Sequence, residues 1–272
     1  MYKRPVLIGL SVAALIGGCA SGPQPPAYPA FVVSDEMSDM FIAVMPGVRA
    51  IQYASDQRTR SMSARVDFPE GWSGTTGGDA SKALEMFVLS GEMQLADVRL
   101  TAGGYAYVPP GSLGFNMHTE TGARVLYFLG DFNVDALIRT PLILDSALVK
   151  WQATDSIGVV AKELRADPGS GERTWLMRYE PGAVMPWQSS SAALEGYLVS
   201  GQFQDSECVA GKPYTDIYAP GGYFSRPAES VHGGPAAYAI TESVWFLRQK
   251  RRAEINLDAE CSASAAEQAA NP

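Results

Sequence analysis

Glu195 and His232 are the side chains of this 272-residue chain best placed for acid–base or metal chemistry. Glu195 opens the apolar stretch EGYLVSG, which ends on Gly201, and His232 closes a second stretch, GGYFSRPAESVH. A carboxylate beside an imidazole raises the imidazole's pKa and keeps it cationic near neutrality. Such a pair binds an anion or serves as general acid and base. Gln188 and Trp187 lie shortly before Glu195. Arg226, Tyr197 and Trp187 complete the candidate ligand site. Strand alternation puts Tyr197 on the face of Glu195. Trp175, Tyr179 and Phe224 add aromatic walls, as in a small-molecule pocket. Filling of a closed β core is the other reading of these rings.

Composition excludes several chemistries. The chain has two histidines, His118 and His232, and three cysteines, which rules out zinc fingers and four-thiolate iron–sulfur clusters. Net charge is −8 and the one basic cluster is at 248–252, so nucleic-acid binding is not expected. No Gly-x-Ser-x-Gly elbow occurs. The Gly-rich run at 74–78 is not followed by Lys-Ser/Thr, so it is no phosphate loop. His118 reads as a surface or edge histidine.

The chain opens with an address. Lys3 and Arg4 precede an apolar run to Ile16, then Gly17, Gly18 and Cys19. This is the order of a secretory signal, and the run is too short to span a bilayer comfortably. Ile-Gly-Gly-Cys resembles a bacterial lipoprotein box, with Cys19 acylated and residues 1–18 removed. Residues 19–30 read as a Pro-rich, extended tether. Loss of Lys3 and Arg4 leaves 19 basic against 29 acidic residues, a charge of −10. The expected location is the bacterial envelope, anchored by lipid and facing the periplasm, where Cys208 and Cys261 can pair as a disulfide.

The body is written twice. LEMFVLSGEMQ at 84–94 answers LEGYLVSGQFQ at 194–204, an offset of 110. Gly103-Gly104-Tyr105 answers Gly221-Gly222-Tyr223, and Tyr127-Phe128-Leu129 answers Trp245-Phe246-Leu247, both at 118. Gly47 to Ala50 answers Gly158 to Ala161, and Arg58-Thr59 answers Arg173-Thr174. Matched blocks in the same order indicate duplication, with halves at 31–140 and 141–256 and a flexible tail at 257–272. Short β-branched and aromatic runs between Gly, Pro, Asp and Ser predict an all-β fold of antiparallel strands. Between Gln204 and Gly221 the second half carries a loop eight residues longer than the first.

These blocks resemble the two motifs of the cupin family. There, a Gly leads through His-x-His to a Glu and a second Gly; a later Gly, Pro and His form the second motif. Glu195 and Gly201 fit the first motif; Gly222, Pro227 and His232 fit the second. Counting back from Glu195, Gln188 and Ser190 stand at the His-x-His positions. The resemblance thus implies Gln188, Glu195 and His232 as the candidate set for a divalent transition metal, although neutral Gln is a weak substitute for imidazole and the ligand count falls short of an ordinary site. In the first half Glu85, Gly91, Gly104 and Pro109 fit, whereas Gly78 and Ala80 occupy the His-x-His positions and Gly114 answers His232. The chain is similar to a bicupin related to the ChrR cupin of anti-sigma factors. The resemblance implies two tandem cupin barrels (double-stranded β-helices, or jelly rolls), the first degenerate. The residues kept at the second-half positions point to a small polar or anionic ligand held at Glu195 and His232, without established catalysis. Two alternatives stay open: a metal-dependent dioxygenase, isomerase or lyase, and a structural envelope lipoprotein. Cupin edge strands also allow a homodimer.

Overall fold

The run Leu84 to Leu89 has no polar face after Glu85, because its two faces are covered by different partners. The structure, a computed structural model, describes residues 28, 31–56, 58–59, 61–76, 81–112, 114–131, 133–257 and 259–262. The signal at 1–18, Cys19, most of the tether, and Gly78 and Ala80 lie outside these residues. Leu84, Met86 and Val88 join Val66, Val108 and Val125 in the interior of the first half. Phe87 turns the other way, with Tyr105 and Phe128, and meets Tyr197, Tyr223 and Phe246 of the second half. Tyr53 stacks on Tyr223 with ring centroids 4.3 Å apart, and Phe128 on Phe246 at 5.6 Å. A strand buried on both faces reads as a continuous apolar run and loses the alternation that would reveal which side faces which core.

The halves repeat one sheet order. In the first, Met40–Phe41, Arg49–Asp56, Ser61–Phe68, Ala123–Asp131, Lys82–Leu95 and Gly104–Val108 lie side by side. In the second, the order is Gln152–Ala153, Val159–Ala166, Arg173–Tyr179, Ser243–Gln249, Leu194–Ser200 and Gly222–Arg226. The last strand of each sheet comes from the other half. Val32–Val33 pairs with Gly222–Arg226, and Leu142–Asp145 pairs with Gly104–Val108. A short 3-10 turn follows each, and the Ser34 and Ser146 amides donate to the Gly221 and Gly103 carbonyls, both at 3.1 Å. The division at residue 140 therefore separates stretches of sequence, while the sheets exchange their leading strands.

Pairing register corrects two parts of the repeat. Glu85 lies opposite Phe128, itself opposite Ser63; Glu195 lies opposite Arg248, itself opposite Thr174. Thr174 thus answers Ser63, and Arg58-Thr59 sits in the turn before that strand. Arg248 answers Phe128, an offset of 120 where the residue blocks suggested 118. A two-residue slip preserves which face each side chain occupies, so the sequence match survives it.

The longer loop of the second half is a hairpin. Phe203–Val209 and Lys212–Tyr218 pair across Ala210 and Gly211, both at positive φ, as a two-residue primed turn requires. Cys208 on this hairpin is joined to Cys261 with Cα atoms 5.4 Å apart. The segment after residue 256 is thereby tied down as far as Cys261, instead of fraying from 257 as its composition suggested. Near the other terminus, the Tyr28 hydroxyl donates to Glu207 Oε2 at 2.9 Å and Phe31 packs on Tyr214 and Tyr218. The end of the presumed free tether is docked on the second half.

Candidate functional site

The interior of the second half encloses a cavity of about 360 Å³, within the range of small-molecule sites. Its walls are the inward residues of the main sheet, among them Trp175, Met177, Phe224 and Trp245, with Phe203 from the hairpin strand. The rings meet edge-on or tilted: Phe203 and Trp245 at 5.8 Å, Phe224 and Trp245 at 5.3 Å. A Cβ on Gly196 would come within 2.2 Å of the Phe224 ring. Gly196 therefore lets that ring lie flat on the sheet. Its counterpart Met86 is a fully buried side chain of the first-half core.

His232 lines this cavity beside Gln188. The two exchange backbone bonds, Gln188 N to His232 O at 2.9 Å and His232 N to Gln188 O at 3.0 Å. His232 Nδ1 lies 3.2 Å from the Ser230 carbonyl, which can only accept, so Nδ1 carries the proton. The Gln188 amide nitrogen then donates to Nε2 at 3.4 Å. Burial pushes the imidazole well below its usual pKa, and the Arg226 cation pushes it the same way. His232 is neutral at pH 7, the opposite of the carboxylate-paired cation expected from sequence.

The expected carboxylate is elsewhere. Glu195 faces the junction between the halves, where it accepts from Ser63 Oγ at 2.8 Å, Lys250 Nζ lies at 3.1 Å and Arg248 Nη1 at 3.7 Å. Its neighbour Leu194 lines the cavity in its place. The reason is the two-residue period of a strand: one position separates the cavity face from the junction face. Tyr197 does share the face of Glu195, and for that reason belongs to the junction core. Trp187 packs over Gly234, whose Cβ would meet its indole at 2.2 Å, and is not part of the cavity lining. Of the six predicted ligand residues, the structure brings together Gln188, Arg226 and His232.

Arg226 is buried and already partnered. Its Nε donates to Glu207 Oε1 at 2.7 Å, its Nη2 contacts Asp205, and the guanidinium lies over the Phe224 ring at 3.7 Å. Burial disfavours the charge, but the two carboxylates hold the Arg226 pKa above its ordinary value. Asp205 and Glu207 escaped the sequence reading. The signal was present: Phe203, Asp205 and Glu207 alternate on one strand face, and a buried arginine demands carboxylate partners.

The metal set Gln188, Glu195 and His232 does not assemble. What remains is one imidazole whose Nε2 lone pair faces the Gln188 amide, and two carboxylates engaged by Arg226. Among the described residues no three His, Cys, Asp or Glu side chains converge. These donors do not fit a divalent transition metal.

A buried neutral histidine makes stability depend on pH. The unfolded chain binds a proton near pH 6.5 and the native imidazole does not, so stability is lost as pH falls below that value. Between pH 6.5 and 5.5 the loss attributable to His232 is expected to approach about 1.4 kcal/mol per pH unit. Urea unfolding at several pH values should show this slope in the native protein and a flatter one in His232→Gln.

The all-β architecture, with its swapped strands and filled first interior, is a cupin fold. Within it, residues 139–251 match the model of the ChrR cupin-like domain. Solved structures agree on the fold. A candidate dioxygenase from Nostoc punctiforme PCC 73102 is 18% identical, with 82% of each chain covered and a TM-score of 0.65. Protein Ylba from E. coli is 15% identical over 80% of this chain and 89% of that one, also at 0.65. A variant of Bacillus subtilis oxalate decarboxylase is 10% identical over 86% and 81%, at 0.59. No curated protein matches the chain.

Proposed function

We propose that the chain is an exported, lipid-anchored bicupin that binds one small molecule in the interior of its second half, with the first half as scaffold. The cavity beside His232 carries this reading. Leu84, Met86, Val88 and Val125 fill the first interior, whereas the second holds the cavity lined by Trp175, Met177 and Trp245. Binding is favoured over turnover because Arg226 is already engaged by Asp205 and Glu207, and the cavity's imidazole has no carboxylate partner among the described residues. Reactions named for neighbours of this fold are not carried over, since likeness at 10–18% identity speaks for fold alone. Export and anchoring rest on the Met1 to Cys19 pattern; Cys19→Ala should move the protein from the membrane to the soluble fraction.

The test is titration with N-phenyl-1-naphthylamine, a flat neutral fluorophore. Wild type should bind it at one saturable site. Met177→Trp and Leu194→Phe, which add rings to the cavity wall, should each weaken binding at least about tenfold. Absence of saturable binding to wild type, or undiminished binding to both variants while they remain folded, would exclude the proposal.

A further inference from the structure

The charged residues of the cavity are unevenly neutralised. Arg173, Asp205, Arg226 and Arg252 are its charged lining groups, His232 being neutral. Deep inside, Arg226 faces two buried carboxylates, Asp205 and Glu207. At the mouth the arginines have no buried carboxylate partner among the described residues. Arg252 is exposed, its guanidinium donates to the Pro168 carbonyl at 3.1 Å, and it pairs with no carboxylate among the described residues. Arg173 lies 4.6 Å over the Trp175 ring; its one ion pair, to Glu163 at 3.2 Å, has side chains 42% and 51% exposed, and such pairs contribute little. The entrance is therefore cationic on a chain of net charge −8.

Arg252 is also held in place. Its backbone amide donates to Ser170 O at 3.1 Å, Glu254 N donates to Ser191 Oγ at 2.9 Å, and Ile255–Asn256 pair with Ser189–Ser190. The segment is closed beyond these bonds by the disulfide from Cys261 to Cys208. It crosses the rim of the cavity, so Arg252, Ala253 and Ile255 all line it.

Resting on the binding reading above, we infer that the ligand is an amphipathic anion. Its flat apolar body lies between Trp175, Phe224 and Trp245, and its single negative group meets Arg252 and Arg173 at the mouth. An anion is placed best there. It stays partly hydrated, so the desolvation penalty of the apolar interior is avoided, and a guanidinium offers paired donors to a carboxylate or sulfonate. A positioned arginine also loses less freedom on binding than a mobile one. Arg252 and Arg173 are then specificity-determining residues.

The test compares two fluorophores with the same phenylnaphthylamine body: the neutral N-phenyl-1-naphthylamine and the anionic 1-anilinonaphthalene-8-sulfonate. The full exported chain should bind the sulfonate about tenfold more tightly than the neutral dye. Arg252→Gln combined with Arg173→Gln should remove that advantage and leave the neutral dye within about twofold of wild type. Met177→Trp should weaken both, showing that both report the cavity. If the neutral dye binds and the sulfonate binds no better, or if the arginine variants weaken both dyes equally, the anion inference is overturned and the binding site stands. If neither dye binds, both fall together.

Discussion

Glu85→Ala is expected to lower the stability of the folded chain by about 3–5 kcal/mol. Glu85 is 1% exposed and carries four partners: Tyr105 Oη at 2.5 Å from its own half, and Thr174, Arg165 at 3.6 Å and Arg248 at 2.5 Å from the other. Removing the carboxylate leaves two buried guanidinium groups without their main counter-charge, which is costlier than the pair itself is stabilising. Arg248 also lies 4.7 Å over Phe128, so the loss disturbs the aromatic junction as well. Glu195→Ala supplies the control. Glu195 occupies the same place in the repeat, yet one of its cations, Lys250, is 52% exposed and can return to water. Its removal should cause less than half the effect. Urea unfolding of the two variants at pH 7.5 decides the matter, and equal losses would show that the junction network is not organised around Glu85. The pH dependence follows from the same contacts. Burial pushes the Glu85 carboxyl up, and Arg165 and Arg248 outweigh it, bringing it to about 2. Its unfolded value is about 4.3. The native state therefore holds fewer protons between those values, so the contribution is complete above about pH 4.3 and fades as pH falls toward 2.

The second large effect is expected at the disulfide. Cys208 and Cys261 are 53 residues apart, and closing a loop of that length restricts the unfolded chain by about 4 kcal/mol in the chain-entropy account. Cys208→Ser or Cys261→Ser should cause a stability loss of about 2–4 kcal/mol. Reductant should destabilise wild type by a similar amount and leave either variant unchanged. The local consequence is specific to this fold. Without the link, the segment carrying Arg252 and Ile255 is held by its bonds to Ser170, Ser191 and Ser189–Ser190. Acrylamide should then reach Trp175 and Trp245 more readily, seen as steeper quenching of intrinsic fluorescence. Loss of stability without altered quenching would mean that the disulfide acts on the unfolded chain alone.

Much of the architecture was legible because it is local. Antiparallel strands, tight Gly turns and the doubled blocks at 84–94 and 194–204 follow from residue types and spacing along the chain. The functional pair was misread at one point, the orientation of Glu195. Apart from Glu195 itself, Leu194 to Val199 is apolar on both sides of the strand, so periodicity could not tell the cavity face from the junction face. An error of one residue moved the carboxylate out of the His232 environment and replaced it with Leu194.

Covalent order and side-chain chemistry settled the fold class, the repeat, and the candidacy of His232, Gln188 and Arg226, since each depends on neighbours in sequence. The two faces of a doubly buried strand, the exchange of Val32–Val33 for Leu142–Asp145, and the capture of Arg226 by Asp205 and Glu207 belong to the assembled molecule. They were settled only there because burial is a property of whatever packs against a residue, and in this chain those partners come from the opposite half or from a hairpin that pattern alone had left as a loop.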